Sequence, residues 1–311
     1  MILAGDIGGT KCLFGLFEGG QCIAQRRLAS ADFPTFSAAL AAFLAQAPQK
    51  PLSAASFAIA GPVADGGRYG RLTNLPWTLD SATLAQTLHV TNVVLVNDFA
   101  AAALGSVTCP HEQRVTLQTG EPIADAPSLV LGAGTGLGMA LALPIRGGWR
   151  IVPGEGGHVA FAPADDQQIA LWQYLRGHHK RVIWEHVVSG PGLASIHAFL
   201  SGDQASPDSI GRTALEAPQS AEASALNLFL AAYGAFAGDM AMATLARGGI
   251  FLAGGIAAKV LPALQGSERP FLHAFLNKGS HASLMPPMPI HVVTDPAVGL
   301  RGAAMLLSHV S

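Results

Sequence analysis

The sequence predicts an α/β fold in which strands and helices alternate through two domains, or through one domain that carries a large lobe. Three observations point there. The chain has 311 residues, which is long for a single hydrophobic core. A strand, a glycine-rich turn with threonine and a second strand occur at Gly8-Gly9-Thr10 and again at Gly132-Ala133-Gly134-Thr135-Gly136-Leu137-Gly138, as a duplicated fold with two phosphate loops would give. Between them Val93-Val94-Leu95-Val96 runs into Asn97-Asp98 and an Ala-rich helical stretch. A carboxylate thus stands at the end of a parallel strand, where open α/β sheets hold their ligands.

Half of the residues are apolar and 12% are charged, which favours a well-buried globular chain over disorder. A formal net charge of −2, with Lys and Arg scattered, gives no electrostatic footprint for nucleic acid. The three cysteines, Cys12, Cys22 and Cys109, are odd in number and form no C-x-x-C pair, so neither a disulfide framework nor a structural zinc site is expected. A reducing cytoplasm fits them. Met1 leads straight into Ile2-Leu3-Ala4 without the pattern of a secretory signal. Leu226 to Ala246 is apolar but interrupted by Asn227 and Asp239, and reads as a buried helix rather than a membrane span.

Taken in order, Ile2 to Ala4, Cys12 to Phe17 and Gln21 to Leu28 read as a β-meander. In its first turn, Gly8 and Gly9 permit positive φ, where successive N–H groups converge on an anion and the Thr10 hydroxyl adds a donor. An ordinary hairpin is the competing reading. Asp6 beside the turn can hold a metal ion directly or through water. Phe33 to Ala47 is helical in pattern and Ala54 to Ala60 strand-like, ending at Gly61-Pro62. In the following Thr73-Asn74-Leu75-Pro76-Trp77, Asn74 suits a sugar hydroxyl or a turn, and Trp77 the core. Asp80 or Ser81 caps a helix through Leu88.

Asp98 then has two readings, a catalytic base and a helix cap whose carboxylate accepts backbone N–H groups. Thr108 to Gln113 is polar, contains proline and marks the domain crossing. The loop at Gly132 fits neither G-x-G-x-x-G, since Leu137 and Met139 stand where glycine is required, nor the P-loop pattern. In Pro153-Gly154-Glu155-Gly156-Gly157-His158, two glycines between a carboxylate and an imidazole allow both to approach one ligand; a surface Glu and a core His compete with that. Asp165-Asp166 opens a helix to Arg176. Glu185, in the apolar Val182 to Val188, is either a ligand contact or a solvated helix residue. Ser189-Gly190-Pro191-Gly192 restarts a helix toward Leu200. Ser201 to Ser209 reads as an exposed loop before a helix at Thr213 to Glu216, and Ser220 to Leu245 as a long Ala/Gly helix. Gly249 to Ile256 is a strand and glycine turn, with Gly254-Gly255 at a helix start suited to an adenosine or phosphate edge. A strand at Ile290 to Val293 leads through Asp295-Pro296 to a last helix, Ala297 to Leu307.

With these pieces placed, the chain resembles the bacterial glucokinases of the hexokinase, actin and heat-shock-ATPase superfamily. The matching segments are GDIGGTK from Gly5, TNLPW from Thr73, VNDFAA from Val96, GAGTGLG from Gly132, PGEGGHVAF from Pro153, VVSGPGL from Val187 and LAGGI from Leu252, in family order across nearly the whole chain.

The resemblance implies a two-lobed actin-like ATPase fold, ribonuclease H-like, with a cleft between a small lobe (1–108 plus 296–311) and a large one (109–295). It implies ATP-dependent phosphorylation of glucose at its 6-hydroxyl, with Asp98 as the base. Asn97, Asp98, Glu155, His158, Glu185 and Asn74 are then the sugar contacts. Gly8, Gly9, Thr10 and Lys11, with Gly134, Thr135 and Gly136, hold the phosphates, and Gly254 and Gly255 the adenosine side. Asp6 places Mg²⁺, through water. Lobe closure excludes water from the transfer.

Lys11 matches the related family of repressors, open-reading-frame proteins and sugar kinases, whose zinc-binding cysteine cluster is missing here; His158 is accordingly carried over as a sugar contact. A cytoplasmic homodimer without nucleic-acid or membrane partners is implied. The alternatives are a kinase for another hexose or an aminosugar and a non-catalytic sugar sensor of the same fold. A sensor of the repressor type carries a helix-turn-helix before its first strand, for which a strand starting at Ile2 leaves no room. A chaperone- or actin-type ATPase has no use for Asn97, Glu155, His158 and Glu185.

Overall fold

The chain opens with three strands, β1 (Ile2–Ile7), β2 (Lys11–Glu18) and β3 (Gln21–Ala29), in a computed structural model that describes residues 1–308. β1 runs on through Gly5, Asp6 and Ile7, past the Ile2 to Ala4 that the sequence pattern gives it. Gly5 is needed there because the Phe57 ring lies 2.8 Å from where a Cβ would stand. Helix α1 (Phe36–Leu44), capped by Thr35, leads to β4 (Ala54–Ile59). Three short strands, β5 (Val63–Ala64), β6 (Tyr69–Arg71) and β7 (Thr78–Asp80), form a small sheet of their own. Asp80 caps α2 (Ser81–Leu88), accepting the Thr83 N–H at 2.9 Å. Strand β8 (Asn92–Asn97) then passes directly into α3 (Asp98–Val107).

The main sheet of this part has the order β3-β2-β1-β4-β8. β1 pairs antiparallel with β2 and parallel with β4, and β4 pairs parallel with β8. One face buries Phe14, Phe36, Phe57 and Trp77, with the Phe36 and Phe57 rings edge to face at 5.1 Å. Trp77 is therefore a core residue, as its apolar bulk suggests. The opposite face buries Ala4, Ala58 and Ala101 against the last helix of the chain.

After Pro110 come β9 (Arg114–Gln118), β10 (Ser128–Ala133), β11 (Leu137–Ile145) and β12 (Gly148–Gly154), then α4 (Asp166–Arg176), α5 (Gly190–Ser201), α6 (Pro207–Glu216) and α7 (Ala221–Thr244). β13 (Gly249–Ala253), α8 (Gly255–Lys259), α9 (Leu261–Gln265), α10 (Pro270–Leu276), β14 (Ile290–Val293) and α11 (Val298–Ser308) complete the described chain. Helix α7 is long and apolar enough to cross a membrane by length and composition. Most of it, including Phe229, Tyr233 and Phe236, is buried in the second core, which marks it as a core helix. Two expectations fail locally. The segment read as a loop to Ser209 becomes helical from Pro207, because Ser206 accepts the Ser209 N–H at 3.2 Å and proline suits a first helical position. The helix expected to run to Leu264 breaks at Val260, before Pro262.

The second sheet has the order β12-β11-β10-β13-β14-β9. β10 pairs antiparallel with β11 and parallel with β13, and β13 pairs parallel with β14. This repeats the first sheet strand for strand, from hairpin to parallel core, with β9 added antiparallel at the edge. The repeat of the glycine-threonine turn in the sequence is thus a repeat of topology. The chain divides into two compact units, one of Met1–Cys109, Ile145–Ile151 and the residues from Asp295 onward, the other of Pro110–Pro144 and Val152–Thr294. The 145–151 hairpin tip groups with the first unit, whereas the sequence expectation keeps it with 109–295; a hairpin tip carries no sequence signal of the unit it belongs to. Where β14 leads into α11, Asp295 is held by the Arg301 Nε at 3.0 Å and the Ala297 N–H at 2.9 Å.

Candidate functional site

In the first unit the polar residues gather at the ends of β1 and β8. Asn97, the last residue of β8, is the cap of α3: its Oδ1 accepts the Phe99 N–H at 3.0 Å and the Ala100 N–H at 3.2 Å. Its Nδ2 donates to Asp98 Oδ1 at 3.1 Å, and the Phe99 N–H also reaches Asp98 Oδ1, at 2.8 Å. Asn97 supplies the cap of α3, and Asp98, its first helical residue, also accepts a first-turn N–H as the capping reading describes. Both of those bonds end on one carboxylate oxygen. Asp98 is half-buried, and burial raises its pKa above the ordinary carboxylate value against the opposing hydrogen bonds.

Asp6 stands near enough to feel that charge. Its pKa is pushed up to about 6, by burial first and the Asp98 carboxylate second, with Lys11 and Arg27 pulling it down. Asp6 Oδ2 lies 2.9 Å from where a Gly299 Cβ would be, so the first turn of α11 packs directly on the carboxylate. No signal at Gly299 drew attention in the sequence; its role is visible only once the last helix returns to β1.

The first glycine turn differs from expectation. Gly8 and Gly9 do not adopt positive φ; they are small because the chain is crowded. A Cβ on Gly9 would stand 3.0 Å from Asn74 Cβ, and one on Gly8 3.1 Å from the Lys11 carbonyl. The Gly8 N–H closes the turn on Lys11 at 2.9 Å, and Ser30 Oγ donates to the Gly8 carbonyl at 2.9 Å. Thr10, Lys11 and Asn74 are exposed. The structure therefore brings Asn74 to the Gly8-Gly9 turn, and Asp6 to Asp98.

In the second unit the residues gather around the β10–β11 turn. Gly134 and Gly136 flank an exposed Thr135, and the Gly134 N–H donates to the Gly136 carbonyl at 2.8 Å. Glu185, half-buried in a 3₁₀ turn over Trp184–His186, accepts the Leu137 N–H on Oε2 at 2.9 Å. It is not the solvated helix residue of the alternative reading. Glu155 and His158 are both exposed and pair with each other, Oε2 to Nδ1 at 3.0 Å. Gly156 and Gly157 between them are buried against Met139 and Leu137 of β11 with no room for a Cβ, so they seat the turn from which Glu155 and His158 project. Gly254 does adopt positive φ, at 86°, and a Cβ there would meet the Ala133 carbonyl at 2.6 Å. Gly254, the cap of α8, and Gly255, its first residue, are exposed.

His186, beside Glu185, stacks on His179 with ring centroids 3.7 Å apart. Burial and the His179 ring hold its pKa below the usual imidazole value, while Glu185 acts in the opposite direction. Among the described residues no group of three or more His, Cys, Asp or Glu side chains could enclose a metal ion. Mg²⁺ does not ask for one, since it keeps several waters and is held by one or two carboxylates plus substrate phosphates. Asp6, a carboxylate whose charge is disfavoured by burial and a second carboxylate, suits such a cation.

Comparison with known proteins follows the same lines. A family model described as Glucokinase matches residues 3–310. The chain is 37% identical to a glucokinase of Nostoc punctiforme, covering 98% of each. Among solved structures, a glucokinase from an Antarctic psychrotroph matches with a TM-score of 0.85 at 29% identity, covering 99% of this chain and 98% of that one. A glucokinase of the ROK family from Streptomyces griseus, solved with glucose and AMPPNP, matches in fold with a TM-score of 0.68 at 20% identity, covering 98% of each chain.

Proposed function

Because the chain belongs to the glucokinase family it is a glucose kinase, and we propose that ATP is its phosphoryl donor and Asp98 the base that takes the proton from the 6-hydroxyl of glucose. The observation that carries this is the state of Asp98: a half-buried carboxylate at a strand end, raised in pKa, with the Asn97 and Phe99 bonds on Oδ1. A base works best when its pKa approaches the working pH and its geometry is fixed. Asn97 fixes it and keeps one Nδ2 hydrogen for a sugar hydroxyl.

Glu155, His158 and Glu185 take the other hydroxyls in this reading, with Asn74 at the edge of the first turn. Gly8, Gly9, Thr10 and Lys11 receive donor phosphate, as do Gly134, Thr135 and Gly136; Gly254 and Gly255 receive the adenosine side. Phosphoryl transfer is catalysed by position and charge, and small crowded turns with exposed hydroxyls are suited to both. Asp6 holds Mg²⁺ through water, and the ion supplies neutralisation of the phosphate charge. The working form is a cytoplasmic homodimer, which light scattering on the purified chain tests.

A coupled assay over a panel of hexoses and an N-acylated aminosugar, with ATP, ADP and polyphosphate as donors, tests the whole. Glucose with ATP is expected to give the highest kcat/KM, and a different best pair rejects the substrate or the donor directly. In the same assay Asp98→Ala is expected to lose about 10²-fold or more in kcat, with nucleotide binding kept. Near-normal turnover in that variant sinks the base assignment.

A further inference from the structure

Glu185 makes a bond that sugar binding does not require. Its Oε2 accepts the Leu137 N–H at 2.9 Å, and the same oxygen lies 2.6 Å from where a Cβ on Gly136 would stand. Five residues on, the Gly190 N–H donates to the Gly134 carbonyl at 2.7 Å. The two bonds grip the Gly134–Leu137 turn at both ends, while Thr135 between them is exposed. The gripping segment is itself braced. Ser189 Oγ donates to the Glu185 carbonyl at 2.7 Å and accepts the Gly192 N–H at 3.0 Å, capping α5.

The geometry points to Glu185 as a positioning residue for the phosphoryl donor: through Leu137 it sets the shape of the 134–136 turn, separately from any sugar hydroxyl it holds. This rests on the reading of that turn as a nucleotide phosphate loop. The bond to Leu137 joins an ionisable acceptor to a backbone donor, the stronger class of hydrogen bond. The absence of a side chain on Gly136 is what lets the carboxylate come so close. The other end of the grip is a backbone N–H, which only proline would remove, so Glu185 is the half that side-chain substitution adjusts.

The test is the affinity for AMPPNP with Mg²⁺, measured calorimetrically without sugar, where a residue that touched only sugar would have no effect. Glu185→Ala is expected to weaken AMPPNP binding about 10- to 100-fold, the scale of a lost hydrogen bond to a charged group. Glu185→Gln keeps an acceptor for the Leu137 N–H, and is expected to bind AMPPNP within about threefold of the unmodified protein while raising the KM for glucose, a split that loss of fold would not produce. If thermal melting shows that the Ala variant is unfolded, Glu185→Met fills the same space without an acceptor and is expected to show the same weakening. Unmodified affinity in a folded Ala or Met variant overturns the proposal, as does a Gln variant as weak as Ala. A failure of the unmodified protein itself to bind AMPPNP overturns the donor reading on which the proposal stands.

Discussion

Asp6 and Asp98 show how a sequence that packs two carboxylates close together creates both an advantage and a cost. The pKa of Asp6 is raised from 3.8 to about 6 on folding, so the folded chain holds its proton more tightly than the unfolded one. Its favourable contribution is full below the unfolded value and is lost as pH rises through about 6. Asp6→Asn removes that dependence. In melts without Mg²⁺ or nucleotide, the variant is expected to match the parent near about pH 4 and to exceed it in Tm near about pH 8, and a constant gap would refute the coupling. The same variant is expected to need about 10- to 100-fold more Mg²⁺ for half-maximal rate, as with other residues that act on a metal through water. Glu155 tests a different function. Exposed and paired with His158, it is expected on change to Gln to raise the KM for glucose with little effect on that for ATP; the reverse pattern would count against its role.

At the level of elements, much was legible because strand ends and helix starts carry their own chemistry. Asp80, Asp165 and Ser189 each stand before a helix and accept a first-turn N–H, and the apolar run before Asn97-Asp98 is the parallel strand it promised to be. What escaped was long-range contact. The glycines of the first turn looked like carriers of positive φ, yet Gly9 is small because Asn74 packs on it, and the partner lies far along the chain. Likewise Glu185 was visible as a polar residue in an apolar segment, but its bond to Leu137 requires two distant turns to meet. Helix contacts give a further example, since Gly302 of α11 abuts the Ala101 carbonyl and Gly105 of α3 abuts the Val298 carbonyl, neither with room for a Cβ. Gly302→Ala is expected to cost about 1–3 kcal/mol, as overpacking does, in urea unfolding of the full chain. A stability unchanged within error would show that α11 yields freely.

For the whole molecule, ligand linkage offers a measure independent of turnover. Glucose at about 100 times its Kd is expected to add about 2.7 kcal/mol of stability by mass action, in Asp98→Ala as in the parent if the aspartate serves mainly as a base. A variant that glucose no longer stabilises would make Asp98 a binding residue first. The β3-β2-β1-β4-β8 order recurs as β12-β11-β10-β13-β14, and with it recurs a strand-to-helix junction. An aspartate follows the fifth strand of each sheet order, Asp98 directly after β8 and Asp295 two residues after β14. Asp98 has an asparagine for a neighbour and a raised pKa, whereas Asp295 is ion-paired with Arg301. One topology thus sets two aspartates at strand-to-helix junctions in different electrostatic settings, one beside an amide and one beside a guanidinium.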